Sequence, residues 1–166
     1  MSDAANDGRL VFPWQATAQA VLRPAADPRH ERPPLFVGLH GQTQSGERQA
    51  RWMADAVPAF MAAAFPDGFY AYEVRRPERP IRIGHAWYLF DGDRDALVAG
   101  LGEIETRFWA YVDAMADALG ADAQRVWLCG FSQGAYLSHA MACRNPSRVA
   151  GWVGQAGGFR PEYLGD

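Results

Sequence analysis

Ser132 stands at the centre of Gly130-Phe131-Ser132-Gln133-Gly134, a glycine-x-serine-x-glycine pattern that can present a hydroxyl for nucleophilic attack on an acyl carbon. The context suits that reading. The apolar run Val126 to Cys129 leads in as a strand, and a stretch rich in small residues leads out as a helix. Two glycines flank the serine because side chains there would collide with the neighbouring strand and helix in so tight a bend. Such a bend lifts the hydroxyl to the carboxyl edge of a sheet, at a helix N-terminus, where the helix dipole and free N–H groups favour a developing negative charge. The plainer alternative is a strand-turn-helix with Ser132 as an ordinary N-cap.

A second segment bears on the same chemistry. Leu39-His40-Gly41-Gln42 follows the apolar run Leu35 to Leu39, about ninety residues upstream. Acyl transfer needs two N–H donors aimed at the oxyanion of the tetrahedral intermediate. The elbow supplies the backbone N–H of Gln133, and a glycine-containing loop after an earlier strand supplies the other, which points to Gln42. His40 is read as a structural residue, since a histidine at a strand end finds a local hydrogen-bond partner.

The elements that must position these groups alternate along the chain. Leu10 to Trp14 and Ala16 to Leu22 read as short strands, followed by a proline-rich connection through Pro24, Pro28, Pro33 and Pro34. Leu35 to Leu39 has the pattern of a strand covered on both faces. Glu47 to Phe65 reads as a helix, kinked or split at Pro58. Gly68 to Val74 reads as a strand, and a long irregular loop carrying Trp87, Tyr88 and Phe90 runs to about Gly92. Leu97, Leu101, Ile104, Phe108, Val112, Met115 and Leu119 recur at helical spacing, with Asp91 or Asp93 as N-cap and Gly120 as terminator. Arg125 to Gly130 is a buried strand, Ser132 to Cys143 a helix and Val149 to Val153 a further strand. This order predicts an α/β fold, a mostly parallel sheet with helices on both faces.

Bulk properties narrow the class. The chain has 166 residues, 49% hydrophobic and 21% charged, within the size and composition of one globular domain. Its net charge of -3 gives no reason to expect nucleic acid or an anionic membrane as partner. The arginines at 75, 76, 79 and 82 are interrupted by Pro77 and Pro80 and read as a solvated loop. Met1 to Arg9 lacks the basic and apolar regions of a signal peptide, and no apolar run approaches the ~20 residues of a membrane span. Cys129 and Cys143 have no metal-type spacing and read as buried, reduced thiols of a cytoplasmic protein.

The pieces Leu39-His40-Gly41 with its polar, Gly46-containing loop, Ala86-Trp87-Tyr88, and Cys129-Gly130-Phe131-Ser132-Gln133-Gly134-Ala135 resemble the phospholipase/carboxylesterase family of α/β-hydrolases, which includes the acyl-protein thioesterases. The resemblance runs from about Leu35 to the end of the chain. It implies hydrolysis of small-molecule or lipid-like esters or thioesters without metal or organic cofactor. Ser132 would be the nucleophile, Gln42 and Gln133 would hold the oxyanion, and Trp87 and Tyr88 would border the acyl pocket.

The triad departs from that pattern. In the family an aspartate and a histidine follow the serine, on loops after two further strands. Here the residues after Ser132 contain only His139 and Asp166. His139 lies seven residues along the helix, about 10 Å away at 1.5 Å per residue, and reads as a surface or packing residue. A dyad of His85 with Asp91 or Asp93 is the alternative source of a base. Residues 1–166 therefore read as a single α/β-hydrolase domain without its C-terminal strands and helices, weak or inactive alone, with an exposed sheet edge open to self-association. The competing reading is a non-catalytic binding domain. A phosphate-binding domain is disfavoured, because no glycine-rich phosphate loop follows a strand.

Overall fold

The computed structural model describes residues 17–157, except residue 54. The strand expected at Leu10 to Trp14 lies outside them. A five-stranded sheet forms the centre, in the order β1-β3-β2-β6-β7. Its strands are β1 (Ala20–Arg23), β2 (Pro34–Leu39), β3 (Ala62–Pro66), β6 (Asp122–Phe131) and β7 (Val149–Gln155). All are parallel except β1, which runs antiparallel along β3. A separate antiparallel hairpin, β4 (Tyr70–Val74) with β5 (Arg82–Ala86), stands beside it.

Alternation on the strands divides the core. Leu35, Val37 and Leu39 of β2 and Val126 and Leu128 of β6 face α2 (Arg94–Leu119) and α3 (Gln133–Arg144), meeting Phe108, Val112, Met115, Leu137 and Met141. Phe36, Ala63 and Phe65 point the other way, onto Ala50 of α1 (Gly46–Trp52). Helices therefore cover both faces, as the strand-helix alternation predicts. The long helix begins where Asp93 caps the N–H of Ala96 and ends at Gly120, whose φ is 60°.

Two expectations need correction. The helix expected over Glu47 to Phe65 stops at Trp52, and Ala62–Pro66 is the parallel strand β3. Alanines favour helix intrinsically, but Pro58 breaks the run. Ala62, Ala63 and Ala64 are then buried between β1 and β2, where small residues fit beneath helices on both sides. The loop expected to run to Gly92 holds β5, a strand whose Ile83 is exposed and whose Gly84 is buried, so its apolar signal is weak.

Candidate active site

Ser132 sits at the carboxyl end of β6, where the chain turns into α3 with φ 51° and ψ -118°. Few non-glycine residues have positive φ, and this ψ lies far from the left-handed helical basin, so the backbone is strained here. Its N–H is held by the carbonyl of Gln155 at the end of β7, 2.9 Å away. The flanking glycines are required sterically. A Cβ on Gly130 would lie 2.3 Å from the carbonyl oxygen of Gly134, and one on Gly134 would lie 2.5 Å from that of Leu39. The elbow is thus pressed against the end of β2. The Ser132 side chain makes no capping bond to its helix, unlike an ordinary serine N-cap.

The loop after β2 comes up against the same serine. A Cβ on Gly41 would stand 3.3 Å from the Cβ of Ser132, so the residue before Gln42 abuts the nucleophile candidate. Gln42 occupies the tip of a turn closed by the Gln44 N–H donating to the Gly41 carbonyl (3.1 Å). Among the described residues, neither the Gln42 nor the Gln133 backbone N–H donates to a backbone carbonyl. Gln42 also lines a cleft of about 410 Å³ together with Tyr70, Tyr88, Leu97 and Ile104.

His40 is fully buried. Its Nε2 accepts from the Gly68 N–H at 2.9 Å, so the proton of the neutral ring is on Nδ1, which donates to the Gly41 carbonyl at 2.8 Å. Burial pushes its pKa down to about 4. Both ring nitrogens are committed to the backbone, which makes His40 a structural brace for the Gly41 turn.

The side chain of Gln133 does something the sequence does not announce. Its Oε1 accepts from the Trp87 N–H and its Nε2 donates to the Tyr88 carbonyl, both at 2.9 Å. It clasps the aromatic segment to the first turn of α3. Trp87 does not border the cleft, contrary to expectation. Its ring is completely buried, its Nε1 donates to the His40 carbonyl (2.8 Å), and Phe69 packs edge-on against it. Tyr88 does line the cleft.

The alternative dyad is not formed. His85 lies on β5 with Nε2 3.6 Å from Asp67 Oδ2 and Nδ1 3.3 Å from the Gly68 carbonyl. Asp93 caps α2, and Asp91 accepts from the Asp93 N–H. His139 is buried, with its ring centroid 5.0 Å from that of Trp152 and its Nε2 3.4 Å from Cys143 Sγ. It packs inside the fold. Asp67 escaped the sequence reading. Pro66-Asp67-Gly68 signals a turn, and a turn signal does not say what the carboxylate meets.

An elbow at the carboxyl end of a central parallel strand, beside a loop from the neighbouring strand, points to one architecture. The chain has the α/β-hydrolase fold. It resembles the carboxylesterase of Bacillus cereus (TM-score 0.61, 18% identity), covering 84% of this chain and 59% of that one. It also resembles the protein YahD, solved with malic acid (TM-score 0.59, 16% identity, 87% of this chain and 68% of that one). The esterase PE8 is similar as well, at TM-score 0.56 and 21% identity over 78% of this chain and 59% of that one. At these identities the likeness is one of fold. The chain spans only 59% of the lengths of the carboxylesterase and of the esterase. No protein-family model matches the sequence, and no curated protein does. Among the described residues no helix is long and apolar enough to cross a membrane.

Proposed function

We propose that this chain is the nucleophile-bearing part of a serine hydrolase of the phospholipase/carboxylesterase type, acting on carboxylic esters or thioesters. The observation that carries the reading is the strained backbone of Ser132 at a glycine-flanked turn, abutting Gly41. In the reaction, Ser132 Oγ adds to the acyl carbon while a base takes its proton. The oxyanion lies between the Gln42 and Gln133 N–H groups and collapses to the acyl-enzyme, releasing alcohol or thiol. Water then hydrolyses the ester. The cleft reaches the site through Gln42 rather than through Ser132, and its lining mixes Tyr88, Leu97 and Ile104, an apolar wall for an acyl group, with Asp91, Asp93, Glu103 and Arg107.

On this reading the acid and base belong to sequence that follows these residues, and the 166-residue chain is a weak catalyst alone. The oxyanion hole and substrate binding can leave some rate without the triad partners. The outer edge of β7, with Trp152 and Val153 exposed, is the surface through which such a chain would associate with further sequence or with a second copy. Cys129 is half-buried and Cys143 exposed, where both were expected to be buried, and two free thiols favour a reducing compartment such as the cytoplasm. A second reading, a non-catalytic binding domain, gains from the engagement of His40, His85 and His139 with other partners.

A fluorophosphonate probe separates the two. The expected result is slow covalent labelling of Ser132, faster with added imidazole as a base and abolished by Ser132→Ala, with little turnover of p-nitrophenyl acetate. No labelling under either condition favours the binding domain. Vigorous turnover that vanishes in Ser132→Ala shows that a base lies within these residues.

A further inference from the structure

We propose that Asp67 is a positioning residue for the oxyanion loop, holding residues 41–46 so that the Gln42 N–H faces Ser132; this rests on the hydrolase reading above. Asp67 directly follows β3, and its own N–H is fixed to the Gln19 carbonyl at 2.7 Å. Its side chain reaches across to a different part of the chain. Oδ1 accepts the Gly46 N–H at 2.7 Å, at the far end of the loop, and Oδ2 faces His85 Nε2. His85 is the other half of the same fixture. Its backbone carbonyl accepts the Thr43 N–H (3.0 Å) and its N–H donates to the Gln44 carbonyl (2.9 Å).

The next residue completes the frame. The Gly68 N–H donates to His40 Nε2, and the Gly68 carbonyl lies against His85 Nδ1. Asp67 and Gly68 therefore touch the loop at its start through His40, at its middle through His85 and at its end through Gly46. Thr43, with φ 69°, sits inside that span in a conformation a free loop of this sequence would seldom adopt. A carboxylate accepting a backbone N–H is a strong fixed bond. The loop is thus set before any substrate arrives, as an oxyanion hole requires.

The test compares Asp67→Ala, Asp67→Asn and the native chain by fluorophosphonate labelling of Ser132 and by amide exchange over residues 41–46. Displacing the donor lowers the maximal labelling rate of Asp67→Ala about tenfold, a modest share of the loss that an ångström of misplacement can cause. The half-saturating probe concentration stays put, because probe binding does not use the oxyanion donors. Amide exchange at 43–46 becomes faster. Asp67→Asn keeps an oxygen for the Gly46 N–H and recovers most of both. Native labelling and native exchange in Asp67→Ala overturn the proposal. Should that variant fail to fold, the same native behaviour in Asp67→Ser overturns it. If the native chain is never labelled while Asp67→Ala still loosens 43–46, the hydrolase reading falls and the role of Asp67 in holding the loop stands.

Discussion

The two sides of the site are held in place by different means. The elbow, Gly130 to Gly134, is fixed by exclusion: backbone of β2 and α3 occupies the space where side chains would go. The opposing loop, Gly41 to Gly46, is fixed chiefly by attachment, through hydrogen bonds to Asp67, Gly68 and His85, with exclusion added at its end, where a Cβ on Gly46 would lie 2.1 Å from the Phe65 carbonyl oxygen. Exclusion is written in two neighbouring glycines, Gly130 and Gly134, and tolerates a side chain at neither. Attachment draws on residues tens of positions apart, and each contributes a part that can be removed singly. The elbow should fail all at once and the loop by degrees.

The largest effect expected is therefore at Gly134. Gly134→Ala places a methyl group 2.5 and 2.6 Å from the carbonyl oxygens of Leu39 and His40, which are backbone and cannot swing aside. A loss of about 4 kcal/mol is expected in urea denaturation, at the upper end for single substitutions. The same change at Gly102, in the exposed part of α2 with nothing near its missing Cβ, should stabilise by about 0.5 to 1 kcal/mol. Similar values at both sites would dissolve the contrast.

On the loop side the next effect follows pH. Burial holds His40 neutral, with its pKa about 4, against an ordinary value near 6.5. Between those two pH values the unfolded chain carries about one more proton here than the folded chain. Stability from this group is thus fully present above about pH 6.5 and falls by about 3 kcal/mol as pH drops to 4. His40→Gln, which can still accept from Gly68 and donate to the Gly41 carbonyl, should flatten this limb by about one proton. An unchanged slope would place the acid sensitivity elsewhere. Burial also lowers the pKa of His139, and that contribution remains in both proteins.

The same division decided what could be read from sequence. The elbow was legible because glycine spacing, the strand before it and the helix after it are all local. The periodic helix α2 was legible for the same reason, down to its Gly120 end and a cap narrowed to Asp91 or Asp93, of which the structure uses Asp93. β3 was not, because Ala62 to Ala64 favour helix and become strand only by lying between β1 and β2. His85 read as the partner of nearby aspartates, yet the strand pairing of β4 with β5 turns it toward Asp67. Trp87 read as a pocket residue, yet His40 and Phe69 enclose it. In each miss a contact distant in sequence outweighed a neighbour.

Gln133 ties the elbow to the aromatic segment rather than to the loop, and its effect should be smaller than either of these. Gln133→Glu keeps an acceptor for the Trp87 N–H but loses the donor to the Tyr88 carbonyl, leaving a carboxylate facing that oxygen in a buried site. A cost of about 2 kcal/mol is expected in urea, and the backbone donor remains in place. A loss below about 0.5 kcal/mol would mean the clasp does not hold the aromatic segment.

The smallest effect expected at the site itself is a gain. The φ of 51° and ψ of -118° at Ser132 cost roughly 1 to 3 kcal/mol for a residue with a Cβ. Ser132→Gly removes that strain, while the added freedom of glycine in the unfolded chain takes back about 0.5 to 1 kcal/mol. A net stabilisation of about 1 kcal/mol over the native chain should remain. Ser132→Ala keeps the Cβ and the strain, so it should stay within about 0.5 kcal/mol of native; both lose labelling. The difference between the two variants isolates the backbone, since both lack the hydroxyl. If Ser132→Gly proves less stable than Ser132→Ala, the turn stores no strain, and position 132 is shaped like any helix start rather than held to present its side chain.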